Sequence, residues 1–288
     1  MRCKIIVLIL FQLLITHFLI ADTHIPAGDV SGTWTVDGSP YIVDGNTNIP
    51  ADSLLYIEPG VQILFSGSFK FKVYGRLLAE GTTSDSIYFT SQDTTIGWKG
   101  LQFYDIDISQ QDSSKIVYCR LEYGRQASLI YCSNSSSIMI NKCVITNNLE
   151  GRGISCGESN PTLIDVTISN NTSTSYGGGI YCTDGSCPRL VNVTVVGNNP
   201  GGIWCSYDSD PIIENSNITD NIGAGICCTY SSSPHLYNVT ISGNSEGGIV
   251  CCDNSNPVLE NVTISNNEGY GGLYCTNSKS HTHECYYT

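Results

Sequence analysis

Gly179-Ile180-Tyr181-Cys182 is followed 23 residues later by Gly202-Ile203-Trp204-Cys205, then by Gly225-Ile226-Cys227-Cys228 and Gly248-Ile249-Val250-Cys251. Gly153-Ile154-Ser155-Cys156 precedes this series and Gly272-Leu273-Tyr274-Cys275 follows it; Leu129-Ile130-Tyr131-Cys132 is an earlier copy without the glycine. The intervals between successive cysteines are 24, 26, 23, 23, 23 and 24. A second block trails each first one: Pro161-Thr-Leu-Ile-Asp-Val-Thr-Ile168, Pro234-His-Leu-Tyr-Asn-Val-Thr-Ile241 and Pro257-Val-Leu-Glu-Asn-Val-Thr-Ile264. Three residues beyond the closing Ile comes an asparagine, at Asn171, Asn244 and Asn267, with Asn198 and Asn221 in the same place in the copies between.

Each period therefore predicts two short β-rich runs separated by Gly, Asn, Ser and Pro turn signals. The period is too short for strand-helix-strand units, and runs this short cannot bury a face alone. The solution is a solenoid in which each period makes one coil and each strand pairs with its equivalents in the coils above and below. Equivalent residues then repeat about every 4.8 Å along the axis. Alternation sends Ile180 and Cys182 inward and Tyr181 outward, and in the second block sends Val166 and Ile168 inward and Thr167 outward. Asn171, Asn198, Asn221, Asn244 and Asn267 would form an amide ladder at one corner. Asn192, Asn215, Asn238 and Asn261 make a second file. Pro161, Pro188, Pro211, Pro234 and Pro257 mark a corner where a missing N–H is tolerated.

Residues 40–101 carry a looser version of the same pattern. Ile57-Glu58-Pro59-Gly60-Val61, Gly75-Arg76-Leu77-Leu78-Ala79-Glu80-Gly81-Thr82, Ile87-Tyr88-Phe89-Thr90-Ser91 and Gly97-Trp98-Lys99-Gly100-Leu101 resemble the opening of secreted bacterial right-handed parallel β-helix proteins. The later Gly-Gly-Ile and Ile-x-x-Asn coils resemble the repeats of pectate-lyase-like and polymorphic outer-membrane or adhesin-type β-helix proteins. The resemblance implies an all-β, single-stranded right-handed parallel β-helix with about 23 residues per coil. This scaffold carries lyases, hydrolases, adhesins and inert spacers, so it implies fold more strongly than function.

The chain ends divide from this body. Arg2 and Lys4 precede an apolar run from Ile5 to Ile20, and Ala21 gives way to Asp22. Residues 1–21 read as a secretory signal peptide, the run being shorter than the roughly 20 residues of a spanning helix. Residues 22–126 read as an N-terminal cap and irregular entry coils, and 127–278 as regular coils. Residues 279–288 abandon the repeat where a second block is due. A permitted back-translation with one base removed restores Asn-Pro-Thr-Leu-Met-Asn-Val-Thr-Ile, so this tail reads as a frameshift product on a truncated protein. His281, His283 and Cys285 in it are then a decoy rather than a metal cluster.

The 288 residues contain 13 Lys and Arg against 26 Asp and Glu, a net charge of −13. Sparse, dispersed basic residues exclude a nucleic-acid partner, which needs clustered Lys and Arg to neutralise phosphates. Low overall charge (14% of residues) excludes a charge-rich disordered chain. No transmembrane segment is expected after removal of the leader. Of 14 cysteines, Cys132, Cys156, Cys182, Cys205, Cys228, Cys251 and Cys275 fall in one inward file, while Cys119 and Cys143 occupy the slot later held by Val166. Stacked thiols are expected over bridges there, because parallel side chains about 4.8 Å apart exceed the usual Cβ separation of a disulfide. Cys227 and Cys252 point outward and are the candidates for a bridge or a reactive thiol. Paired Cys-x-x-Cys spacing with histidine support is missing, so no metal is assigned.

The candidates for catalysis are Asp105 and Asp107, with Arg120 about one coil later, and Asp208 and Asp210. Two acids two residues apart share a face, but the simpler interpretation is solvated turn acids. Tyr181, Trp204 and Tyr274 take the outward position beside the cysteine file, with Tyr207 and Tyr230 near the following turn, and aromatics on a flat sheet can stack on sugar rings. The expectation is a secreted or cell-surface module with a non-catalytic structural, adhesion or carbohydrate-contact role, without cofactor. The alternative is a polysaccharide lyase or glycoside hydrolase of the pectate-lyase-like type acting on acidic polysaccharide, for which calcium would be the cofactor.

Overall fold

The computed structural model describes residues 22–104, 113–134 and 138–277, with the backbone alone of 281–283 and 286–287. Successive strands go in rotation to three parallel sheets, so each coil contributes one strand to each. The sense is right-handed, as parallel crossovers are. The sheet of Ile180–Thr183, Ile203–Cys205, Ala224–Cys228 and Gly247–Cys251 has 11 strands and is called the cysteine sheet. The proline-led sheet, also of 11 strands, includes Thr162–Ile164, Arg189–Val191 and His235–Tyr237. The threonine sheet has 12, among them Thr167–Ser169, Thr194–Val196 and Thr240–Ser242.

The coil thus has three strands where the sequence suggested two runs. The second block splits at one residue with positive φ: Asp165 (55°), Asn192 (55°), Asn215 (51°), Asn238 (54°) and Asn261 (53°). A short polar side chain tolerates the left-handed region, and one such residue is enough to turn the chain between sheets without a loop. The bend shows in the apolar pattern as a change of phase: buried Leu163 and Val166 are three residues apart, where a single strand would alternate by two.

Register is uninterrupted along the regular coils. Cys132, Cys156, Cys182, Cys205, Cys228, Cys251 and Cys275 are successive partners in the cysteine sheet. All of these except Cys275 are buried, and the twelve described cysteines are free thiols. Cys143 follows Cys119 as neighbour, its sulfur accepting from the Cys119 N–H at 3.4 Å and donating to the Ile116 carbonyl at 3.3 Å. A hydrogen bond to Cys182 and burial push the Cys205 thiol well above its ordinary range; a bond to Cys205 and burial do the same for Cys228. The entry coils fill the same interior with rings: Phe65 stacks on Trp98 at 4.2 Å, and Trp34 on Tyr41 at 4.6 Å.

The corner after the threonine sheet is held by buried amides. Asn198 donates from Nδ2 to Asn221 Oδ1 (3.1 Å) and to the Ile168 carbonyl (3.0 Å), and its backbone N–H donates to the same Asn221 oxygen (3.0 Å). Asn221 repeats this toward Asn244 and the Val195 carbonyl, and Asn244 toward Asn267 and the Ile218 carbonyl. The file starts one coil earlier than the sequence suggested, at Asn148, whose N–H donates to Asn171 Oδ1. This packing also explains the glycine of the first block. A Cβ on Gly225 would lie 2.7 Å from the Gly248 carbonyl oxygen and 2.8 Å from Asn244 Nδ2.

A second buried file stands before the prolines. The N–H groups of Ser159, Ser186, Ser209 and Ser232 donate to the hydroxyl oxygens of Ser186, Ser209, Ser232 and Ser255 in turn, at 3.1–3.2 Å. The signal for it is a Ser-x-Pro repeat, as in Ser186-Cys187-Pro188 and Ser209-Asp210-Pro211. At the far end, His281–His283 pairs with Val258–Glu260 and Tyr286–Tyr287 with Thr263–Ile264. The backbone there keeps the register although the sequence leaves the repeat. Residues 1–21 and Cys285 lie outside the described residues.

Asn221→Ala should lower stability by about 3 kcal/mol or more, since it strands the Asn198 N–H and the Val195 carbonyl in the interior at about 1–3 kcal/mol each. Asn238→Gly, in the solvent-facing file and at a left-handed φ that glycine also adopts, should cost under about 1 kcal/mol. Urea denaturation followed by circular dichroism measures both, and equal losses would show that burial of the amide is unimportant. Alkylation of the native protein followed by mass spectrometry should modify exposed Cys187 and Cys275 first and leave Cys182, Cys205 and Cys228 untouched until unfolding, since burial denies access to all three and thiolate formation is disfavoured as well at Cys205 and Cys228. Early labelling of the column would mean that the coils open.

Candidate functional site

The outward column of the cysteine sheet runs Gln102, Tyr131, Ser155, Tyr181, Trp204, Cys227, Val250, Tyr274 in successive coils. Side chains at equivalent positions stand about 4.8 Å apart, so small members between large ones leave hollows. Ser155, between Tyr131 and Tyr181, makes a polar one of about 290 Å³ edged by Glu158 and Asp184. Cys227 and Val250, between Trp204 and Tyr274, make an apolar one of about 260 Å³.

The apolar groove has a lining ring at each end, Trp204 and Tyr270. Each is backed by a second ring: Tyr176 packs on Trp204 with centroids 4.3 Å apart, and Tyr274 stacks on Tyr270 at 4.5 Å. Gly201, Gly223, Ala224 and Cys227 form the floor. The small residues come from the Gly-rich turn before each strand, where Gly223 has φ 125° and so also supplies a backbone that residues with a Cβ avoid. Glu246 stands on the rim, exposed, and is the one carboxylate lining the groove. Trp204 and Tyr274 were legible in the sequence. Tyr176 and Tyr270, the more exposed partners at 58% and 59%, were missed; the Tyr-Gly-Gly of Tyr176-Gly177-Gly178 and Tyr270-Gly271-Gly272 was the available signal.

The remaining candidates are distributed elsewhere. Tyr181 faces outward, but the Arg152 guanidinium lies over its ring at 4.3 Å. Arg152 also donates to the Tyr176 carbonyl (2.7 Å) and to Ser175 Oγ (2.8 Å), anchoring the turn that carries one wall. Tyr207 and Tyr230 stack at 4.7 Å with 3° between planes, at the next corner and outside the groove. Asp105 and Asp107 lie outside the described residues. Arg120, on the threonine sheet, is tied through Nε to Glu122 at 2.6 Å. Asp208 and Asp210 sit three coils further along and at a different corner. Asp210 accepts the Ser233 N–H of the next coil, a structural use. The fold does not bring Arg120 to these acids. Among the described residues no three His, Cys, Asp or Glu converge to hold a metal ion.

The thiol pair is corrected in one respect. Cys227 faces the outer side but is buried beneath the groove, at 7% exposure, and burial pushes its thiol up to about 12. Because Cys227 pairs with Val250, Cys252 lies two residues past that partner, just beyond the end of the neighbouring strand, and both thiols are free.

The family model described as "Right handed beta helix region" matches residues 63–210 and 152–288. No curated protein matches the chain in sequence. Among solved structures, pectate lyase Pel9A is similar with a TM-score of 0.54 and 14% identity, over 84% of this chain and 72% of that one. The periplasmic alginate epimerase AlgG gives 0.43 and 11%, over 90% and 84% of the two chains. The A-module of the Azotobacter vinelandii mannuronan C-5 epimerase AlgE4 gives 0.39 and 11%, over 92% and 88%. At these identities the likeness is one of fold. With the family model covering most of the three-sheet coil stack, the chain belongs to the right-handed β-helix family.

Proposed function

We propose that the protein is an exported β-helix module that binds carbohydrate without chemical conversion, through the groove between the Tyr176–Trp204 and Tyr270–Tyr274 pairs. The observation that carries this is the placing of an aromatic ring at each end of one apolar floor, Trp204 and Tyr270 facing each other across Gly201, Gly223, Ala224 and Cys227. Pyranose rings present apolar C–H faces to aromatic rings while their hydroxyls remain in water, and clefts with aromatic linings and few polar groups suit small ligands. Export is supported by the leader-like residues 1–21, and no helix among the described residues is long and apolar enough to cross a membrane. The buried files of Asn and Ser side chains keep this surface rigid, so binding spends little on ordering it.

Trp204→Ala and Tyr270→Ala should each weaken oligosaccharide binding about tenfold or more, roughly 1.4 kcal/mol, with Tyr207→Ala unchanged. Trp34 and Trp98 are buried, at 5% and 0% exposure, and Trp204 is the surface indole, so ligand should perturb the emission of Trp204 alone. Isothermal titration with a panel of oligosaccharides, read beside fluorescence, tests this. Release of cut or unsaturated products from any of them would replace the contact role with catalysis.

A further inference from the structure

The charge around the groove narrows the ligand, on the premise that the contact role above is correct. From residue 153 to 277 the chain has eleven Asp and Glu and a single Lys or Arg, Arg189. Arg189 is on the proline-led sheet and is bound to Glu214 at 2.5 Å, so it offers nothing to a ligand on the cysteine sheet. Arg152, just before this stretch, is committed to Ser175, the Tyr176 carbonyl and the Tyr181 ring. The exposed carboxylate of Glu246 has no ion-pair partner among the described residues and lines the groove directly. Every fixed charge that a ligand meets there is negative.

We infer that the groove selects an uncharged glycan and rejects uronate polymers, with Glu246 as the residue that sets the discrimination. A carboxylate at the rim accepts hydrogen bonds from sugar hydroxyls, and charge-assisted bonds of this kind are the stronger ones. The same group facing a ligand carboxylate creates like-charge repulsion, and specificity is often built from such a repulsive element. The aromatic walls contribute equally to both classes, because a uronate and its neutral counterpart share the ring C–H faces. Selection therefore falls to charge, and it should weaken as salt screens the exposed pair.

The test is titration of the full chain with neutral gluco-, manno- and xylo-oligosaccharides beside oligogalacturonate and oligomannuronate, in chelator and again with calcium. Neutral ligands should bind at least about tenfold tighter. Glu246→Gln loses the charge-assisted acceptor together with the repulsion, so it should weaken neutral binding by about twofold to threefold, strengthen uronate binding and narrow the ratio to about threefold or less, with added salt narrowing it in the wild type. Uronate binding equal to or tighter than neutral, in chelator or only with calcium, and lost in Trp204→Ala, overturns the selectivity and leaves the contact role standing. An unchanged ratio in Glu246→Gln overturns the assignment of that residue. If neither class binds, the contact role itself fails.

Discussion

A single interaction recurs along the axis: the side-chain amide of one buried asparagine donates to the amide oxygen of the next, one coil away. An amide needs partners on both sides, and in a buried corner only another coil in the same register provides them. A one-residue slip would leave its N–H and C=O groups unpaired in the interior, at a cost that few local gains could offset. The glycine of each Gly-Ile-x-Cys block follows from this constraint, because a side chain there would collide with the amide and the next carbonyl. Period, glycine and asparagine are thus one requirement expressed three times.

Once the register is held, interior and exterior separate cleanly. The inner face must repeat in size, and does: Leu163, Leu190, Ile213, Leu236 and Leu259 are successive buried partners. The outer face is free of that condition, so Ser155, Tyr181, Trp204, Cys227 and Val250 can alternate in bulk without disturbing the column behind them. Small side chains open a hollow on such a surface, and longer turns supply its rings. Asn171 to Cys182 spans 11 residues and Asn267 to Cys275 spans 8, where Asn198 to Cys205 and Asn221 to Cys228 span 7, and Tyr176 and Tyr270 lie in the two longer turns.

The fold shared with pectate lyase Pel9A says how the backbone is wound, whereas the chemistry lies in side chains that differ almost throughout at 14% identity. In this chain the regular coils carry a strongly acidic, base-poor surface, with the basic groups near the groove already engaged. A field of one sign acts on any ligand before contact is made, so under the proposed contact role the surface would discriminate among polymers as a whole while the aromatic rings supplied affinity. The thiols of the column from Cys132 to Cys251 belong to the interior, where they behave as small apolar side chains.

The winding was legible because periodicity is a one-dimensional property: Gly-Ile-x-Cys at 23-residue intervals and Asn three residues after each Ile already demand superposed coils. Alternation likewise placed Cys182 and Val166 inside and Trp204 and Tyr274 outside. The bend at Asp165 or Asn192 was missed although it leaves a mark, since buried Leu163 and Val166, or Leu190 and Val193, are three residues apart where alternation gives two. The groove, by contrast, was hidden. Tyr176 comes from a turn, Cys227 and Val250 from the strands of two later coils, and Tyr270 from a turn beyond them, so their meeting depends on distances across the stack. Local sequence determined the coil and what faces inward; only the stacking of one coil on the next decided which outward side chains share a hollow, because that depends on neighbours 23 and 46 residues away rather than on those beside them in the chain.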